Sequence, residues 1–120
     1  MTWKTSPPEL IDRFNAALPN DDRVERRVMF GYPCAFANGN MFSGLHEDRC
    51  FVRLGEPQRR ALLDLPGASQ FEPIAGRRMS EYVVVPDSFS RARLSKWLGL
   101  ALRYATSLPP KRRKQKGPRR

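Results

Sequence analysis

The chain has 120 residues, of which 40% are hydrophobic, and it carries a formal net charge of +10. This length supports one domain with one hydrophobic core. The longest apolar runs are only a few residues, such as the three valines at 83–85, which argues against a membrane-spanning helix. Residues 1–8 lack the apolar stretch of a secretory signal, so a cytoplasmic protein without membrane contact is expected.

A helix is predicted near the start of the chain. Ser6 is expected to be its N-cap, Pro7 its first helical residue, and Glu9 the closing residue of a capping box. The segment Pro-Asn-Asp-Asp at 19–22 is expected to end it. Between these limits, apolar residues spaced by three or four positions form one face: Leu10, Ile11, Phe14, Ala17 and Leu18.

Residues 24–54 predict a β-meander of three strands. The first strand is expected to run to Phe36, with an irregularity at Pro33 because proline cannot donate a hydrogen bond to a ladder. Gly31 is interpreted as a strand residue at a bulge or a close backbone approach. Asn38-Gly39 is a strong signal for a two-residue hairpin turn. Two further strands are expected to follow this turn.

The two cysteines, Cys34 and Cys50, both lie in the predicted meander. Two-residue turns would pair Cys34 with Ser43 and Cys50 with Leu45, so the two thiols are not expected to be neighbours. Buried, reduced cysteines are therefore predicted. One histidine and two separated cysteines match no metal-ligand spacing, and no metal or other cofactor is expected.

The second half of the chain predicts a strand between two helices. A short helix begins at Glu56-Pro57, and the β-branched and aromatic residues 79–85 are typical of a central or well-covered strand. Ser88 or Ser90 is expected to cap the last helix. The apolar positions of that helix are spaced by three and four residues without a break: Leu94, Trp97, Leu98, Ala101, Leu102 and Ala105.

This order of elements predicts an α+β fold. Strands that arrive as hairpins favour a two-layer sandwich, in which an antiparallel sheet of about five strands has helices packed on one face. The domain is expected to span residues 1–108. Residues 109–120 contain no apolar residue and are predicted to be a disordered basic tail.

The predicted tail holds most of the net charge. It contributes +7 and no acid, which leaves 15 basic against 12 acidic residues, or +3, on the domain. Such a segment is expected to bind nucleic acid non-specifically by releasing counterions. The alternative is that the tail is only a solubilising or vestigial terminus. The candidate nucleic-acid-binding residues are Lys111, Arg112, Arg113, Lys114, Lys116, Arg119 and Arg120.

No residue pattern predicts catalysis. The single histidine, His46, falls in a predicted turn beside Glu47 and Asp48, with no nucleophile or orienting residue placed near it. A solvated turn residue is the favoured interpretation. The chain is therefore not expected to be an enzyme.

Phe51 and Arg53 form the candidate partner surface. They alternate with Val52 and Leu54, so one pair should face the core and the other the opposite side of the sheet. An exposed aromatic–arginine pair can stack on bases or anchor a partner protein. The favoured alternative is that the two side chains pack against neighbouring strands.

Several segments together resemble the TfoX (Sxy) N-terminal domain family, over about residues 9–106. Their order and spacing are more specific than any one of them. Tyr32-Pro33 stands where a second glycine is usual, and Arg53 where lysine is common. The matching segments are 27–32 (Arg-Val-Met-Phe-Gly-Tyr), 38–42 (Asn-Gly-Asn-Met-Phe), 50–53 (Cys-Phe-Val-Arg), Phe71, Met79 with Tyr82, Pro86, and the helix over 97–105.

The resemblance implies an α+β fold and a regulatory role without enzymatic activity. Named members of the family regulate natural competence in bacteria and are thought to act with the cyclic-AMP receptor protein at promoters. They carry a second, helical domain, whose place here is taken by the basic tail. A stand-alone regulatory or adaptor domain is expected, contacting a protein such as a transcription factor, nucleic acid, or both. The alternatives are a protein-interaction or homodimerisation module and a small-molecule-binding domain with a deep apolar pocket.

Overall fold

Six strands and three helices are present in the residues that the structure, a computed structural model, describes: 5–73, 76 and 79–111. In chain order these elements are α1 (Pro8–Ala17), β1 (Glu25–Met29), β2 (Tyr32–Ala37), β3 (Asn40–His46), β4 (Arg49–Arg53), α2 (Glu56–Leu63), β5 (Ser69–Gln70), β6 (Tyr82–Val84) and α3 (Arg91–Ser107).

The strands form one sheet in the order β1-β2-β3-β4-β6-β5. Every neighbouring pair is antiparallel. The predicted α+β fold with an antiparallel sheet is therefore confirmed, with six strands where about five were expected. Two features raise the number: the predicted first strand is divided into β1 and β2, and β5 lies at one edge, with two residues that are too few to show an alternating pattern.

The helices and one face of the sheet enclose the main core. Helix α3 packs on the central strands β2, β3 and β4, and α1 packs on α3. The apolar face predicted for α3 is confirmed, because all six of its residues are buried. Ser90 is the N-cap, and its hydroxyl accepts a hydrogen bond from the Arg93 N–H at 3.1 Å. The largest apolar side chains that are fully buried are Phe14, Phe42, Val52, Leu54, Leu62, Val83, Leu94 and Leu98.

The predicted first strand is in fact a hairpin. The chain reverses between Met29 and Tyr32, with φ of +55° at Phe30 and +83° at Gly31. Positive φ at both turn residues matches the twist of a two-residue hairpin. Phenylalanine is rare in this conformation because its β-carbon crowds the backbone. Phe30 therefore makes the turn hard to recognise from the sequence.

A β-bulge changes the predicted cysteine pairing. Phe42 is the extra residue on β3, so Cys34 pairs with Gly44 rather than with Ser43. The predicted pairing of Cys50 with Leu45 is confirmed. Both cysteines are free and buried, as predicted. Cys50 belongs to the main core, whereas Cys34 lies on the opposite face of the sheet.

The predicted capping box at the start of α1 is wrong. The helix begins at Pro8, Pro7 is the N-cap, and no side chain caps the helix. The buried Ser6 hydroxyl instead donates a hydrogen bond to the Glu47 carbonyl at 2.6 Å. Ser6 therefore fastens the segment before α1 to the β3–β4 turn, a long-range contact that no local motif signals.

Two glycine substitutions should have opposite effects on stability. A β-carbon at Gly44 would lie 2.9 Å from Phe51 Cζ and 3.0 Å from Cys34 Cβ, whereas one at Gly99 in α3 meets nothing within 4 Å. We expect Gly44→Ala to lower the free energy of unfolding by about 1–3 kcal/mol through overpacking. Gly99→Ala should raise it by roughly 0.5–1 kcal/mol through helix propensity. Urea unfolding of both variants measures the difference, and equal effects would contradict this account.

Candidate functional site

The sheet face opposite the helices, here called the helix-free face, carries a second, smaller apolar cluster. Phe51, Phe71 and Val84 are buried in it, and Met41 and Tyr82 are among the side chains that pack around them. The rings of Phe51 and Phe71 stack, with their centroids 4.3 Å apart and an angle of 17° between them. This cluster supports the loop between β5 and β6 on the sheet.

Phe71 and Met79, which lie between β5 and β6, form backbone hydrogen bonds. The Phe71 N–H donates to the Tyr82 carbonyl at 3.1 Å, and the Met79 N–H donates to the Phe71 carbonyl at 3.0 Å. The Phe71 ring lies over Phe51 of β4. Phe71, Pro73 and Met79 form one wall of a depression on the helix-free face.

That depression is an apolar pocket of about 190 Å³. It lies between the β5–β6 loop and the β1–β2 hairpin, and three of the four methionines of the chain line it. A concave site of mainly apolar side chains with few polar groups is typical of ligand and partner sites. The residues that line it include Met29, Phe30, Cys34, Met41, His46 and Met79.

His46 supplies a polar group in the wall of this pocket. Its ring contacts those of Tyr32 and Phe71, with centroid distances of 5.4 and 5.7 Å. The Arg49 guanidinium lies 3.0 Å from His46 Nδ1, and since a guanidinium only donates, Nδ1 accepts. Burial, followed by the charge of Arg49, lowers the pKa of His46. His46 is therefore a neutral ring packed in the site, and the interpretation as a solvated turn residue is wrong.

The tip of the β1–β2 hairpin exposes apolar side chains beside the pocket. Phe30 is 76% exposed and Met29 is 38% exposed. Phe30 also holds its positive φ, at a cost of roughly 1–2 kcal/mol for a residue with a β-carbon. The exposed ring of Phe30 adds little to the core, and its backbone conformation is strained. Such positions are typical of binding sites.

Sequence reasoning missed this tip. The available signal is Gly31. It is the second residue of the turn, where positive φ is required and glycine is common. Phe30 hid the signal, because asparagine, aspartate or glycine normally precedes such a glycine.

The predicted partner pair, Phe51 and Arg53, lies on the helix-free face. Val52 and Leu54 lie on the other face, in the main core. Phe51 is only 5% exposed, because Phe71 covers it. A partner would reach it only if the loop moved. The placement agrees with the packing alternative for Phe51, and its role as a partner residue stays a prediction.

Arg53 is held between neighbouring elements. Its guanidinium forms an ion pair of 2.7 Å with Glu81 and lies near the rings of Tyr82 and Tyr104, at 5.6 and 5.9 Å. The Tyr104 hydroxyl donates to Glu81 at 3.2 Å. Arg53 thus connects β4 to α3 within the domain, and its role as a partner residue also stays a prediction.

The predicted basic tail begins as an ordered extension of the domain. The Lys111 N–H donates to the Asn38 carbonyl at 2.8 Å, and the Asn40 side-chain amide donates to the Pro109 carbonyl at 3.2 Å. A β-carbon at Gly39 would overlap the Lys111 carbonyl. The β2–β3 hairpin therefore fixes where the basic segment leaves the domain. The other predicted nucleic-acid-binding residues lie outside the described residues: Arg112, Arg113, Lys114, Lys116, Arg119 and Arg120.

Residues 5–73, 76 and 79–111 contain no group of three or more histidine, cysteine or acidic side chains that could hold a metal ion. Within the same ranges, no helix is long and apolar enough to cross a membrane.

The fold is an antiparallel sheet with helices on one face and an apolar site on the other. The sequence profile described as the TfoX N-terminal domain matches residues 16–105. The chain therefore belongs to this family, and the resemblance read from its motifs is confirmed. Neither the curated proteins nor the solved structures contain a match to the chain.

Replacing Phe30 with asparagine should stabilise the fold. Asparagine tolerates positive φ far better than phenylalanine, and the exposed ring makes little contribution to the core. We expect Phe30→Asn to raise the free energy of unfolding by roughly 1 kcal/mol, measured by urea denaturation. A loss of stability would show that the ring contributes to folding.

The two thiols should differ in reactivity. Burial raises the pKa of Cys34 and raises that of Cys50 to about 12, so both should react more slowly than a free thiol. Cys34 lines an open pocket, whereas Cys50 lies in the main core. In dilute protein, iodoacetamide should therefore alkylate Cys34 first, and Cys50 only as fast as the domain unfolds. Peptide mass spectrometry over time tests this, and equal rates under native conditions would contradict it.

Proposed function

We propose that this chain is a non-enzymatic regulatory adaptor domain, similar in role to the competence regulators after which its family is named. It contacts proteins through the Phe30 site on the helix-free face and nucleic acid through its basic segment. The observation that carries the proposal is the exposed, strained Phe30 beside the apolar pocket.

The chemistry of the Phe30 site suits a protein contact. Aromatic side chains supply much of the binding energy at protein interfaces, and burying apolar surface gains about 25 cal/mol per Å². The described residues that line the pocket include no carboxylate, lysine or arginine side chain. Covering this site therefore removes little charge from water, which keeps the cost of binding low.

The two contacts are spatially separate. Phe30 lies in the turn before β2, and Asn38, which anchors Lys111, lies in the turn after it. A strand rises about 3.3 Å per residue, so the six residues of β2 separate the two ends by roughly 20 Å. A protein bound at the Phe30 end of β2 would not cover Lys111 at the other end. This spacing supports an adaptor role.

Removal of the basic segment should weaken binding to nucleic acid. A chain ending at Lys111 keeps the anchored residues and loses six cations. We expect the full chain to bind duplex DNA at low salt, with a slope of log K against log salt of up to about −0.9 per phosphate contacted. The shortened chain should bind at least roughly tenfold more weakly in fluorescence anisotropy. Equal binding by both chains would place the nucleic-acid surface on the domain instead.

Photo-crosslinking at position 30 tests the protein contact. A benzophenone analogue of phenylalanine replaces Phe30 in living cells, and the matched control carries it at Arg60 on α2, whose side chain is also 76% exposed. We expect a covalent adduct with a defined protein at position 30 and none at position 60, with the adduct identified by mass spectrometry. The proposal fails if position 30 gives no more adduct than position 60.

A further inference from the structure

We propose that the occupant of the pocket is Phe30 of a second copy of this chain. Two chains then form a two-fold symmetric dimer in which each Phe30 ring enters the pocket of the other. This inference rests on the proposed function, because it names the protein that the Phe30 site contacts.

The pocket and the ring match in size. An apolar cavity of about 150 Å³ in another protein binds benzene, so a pocket of about 190 Å³ accommodates one phenyl ring. Three methionines, Met29, Met41 and Met79, lie in its wall. Their flexible thioether side chains adapt to the shape of a bound group and make favourable contacts with aromatic rings.

The ring and the pocket also lie in the arrangement that a symmetric dimer requires. A two-fold interface uses the same patch on both chains, so the patch must be complementary to itself. Here Phe30, the projecting group, stands at the rim of the pocket on its own chain. A two-fold axis beside the hairpin tip therefore brings both rings to both pockets at once.

The charge distribution permits this approach. Seven of the 22 basic residues belong to residues 109–120, and the first of them, Lys111, is held by Asn38 at the far end of β2. Near the site, Arg27 forms an ion pair of 2.9 Å with Glu25, and Arg49 directs its guanidinium to His46. The contact is mainly apolar, so salt should not weaken the dimer.

The size of the patch predicts a weak dimer. An aromatic side chain buries about 150–250 Å², so the hairpin tip supplies well under the roughly 800 Å² per partner of a standard interface. We expect a dissociation constant larger than about 1 µM. Each dimer would carry two basic segments and so twice the attraction for a polyanion.

Sedimentation equilibrium of the full chain tests the dimer, from about 1 µM to about 1 mM protein and from about 0.15 M to about 0.5 M salt. We expect the mass to rise from monomer to dimer with concentration, and salt to leave the dissociation constant unchanged within about twofold. Phe30→Asn should weaken the dimer by at least roughly tenfold. Asparagine is compatible with the positive φ at position 30, so this variant is expected to fold.

The matched control is Val28→Thr. Val28 is 71% exposed on the same hairpin, but it lines a groove beside Ile11 of α1, on the other face of the sheet. This variant removes exposed apolar surface from the same hairpin as Phe30 but leaves the lining of the pocket unchanged. Its dimerisation should equal that of the unaltered chain.

A second measurement needs no variant. Three of the four methionines line the pocket, and the fourth is Met1. With ¹³C-labelled methionine methyl groups, three of the four NMR signals should shift with protein concentration as rings enter the pockets. Concentration-dependent mass without these shifts would overturn the inference, because the interface would lie elsewhere.

The remaining outcomes separate this inference from the proposed function. A chain that stays monomeric at all concentrations overturns the dimer, and the proposed function still stands if position 30 crosslinks to a different protein. A dimer that salt dissociates, or that Phe30→Asn leaves intact, overturns the inference as well. If the dimer forms as expected but the basic segment binds no nucleic acid, the inference stands and the adaptor role fails.

Discussion

The arrangement of the helix-free face depends on one close approach, that of the Phe51 ring to Gly44. A β-carbon at Gly44 would lie 2.9 Å from Phe51 Cζ, so the missing side chain lets the ring settle on the sheet. Phe71 then stacks on Phe51, and the loop that carries Phe71 folds back over the strands. The wall of the pocket follows from this stack. A single glycine in a central strand thus allows a second apolar layer to form on the face without helices.

The site beside this layer combines features that do not help the chain to fold. Phe30 has a strained backbone conformation and an exposed ring. Neither feature lowers the free energy of the folded state. Single strained residues cost of order 1–3 kcal/mol and persist where the surrounding structure holds them in place, which is typical of functional sites. At the other end of β2, hydrogen bonds to Asn38 and from Asn40 fix the start of the basic segment. The six residues of β2 therefore separate the exposed Phe30 ring from the point where Lys111 is held.

Local patterns predicted most of the elements and part of the strand pairing, including that of Cys50 with Leu45. The spacing of Leu94 to Ala105 predicted α3, and alternation placed Phe51 and Arg53 on one face. The β1–β2 turn was missed because Phe30 occupies a position that normally takes asparagine or glycine. The pairing of Cys34 was off by one residue, because a bulge such as that at Phe42 depends on the partner strand. The turn has only Gly31 as a local signal, and the bulge has none within a few residues of the chain.

The sequence by itself determined the family, the α+β class, the apolar face of α3 and the concentration of positive charge in residues 109–120. These follow from composition, periodicity and motif spacing, which are properties of the chain alone. Only the tertiary structure decided that Ser6 binds the β3–β4 turn, that His46 is a packed, neutral ring, and that Met29, Met41 and Met79 line one pocket. The physical reason is that burial and contact between distant segments depend on strand order and register. Those are decided by packing over the whole domain rather than by any local preference.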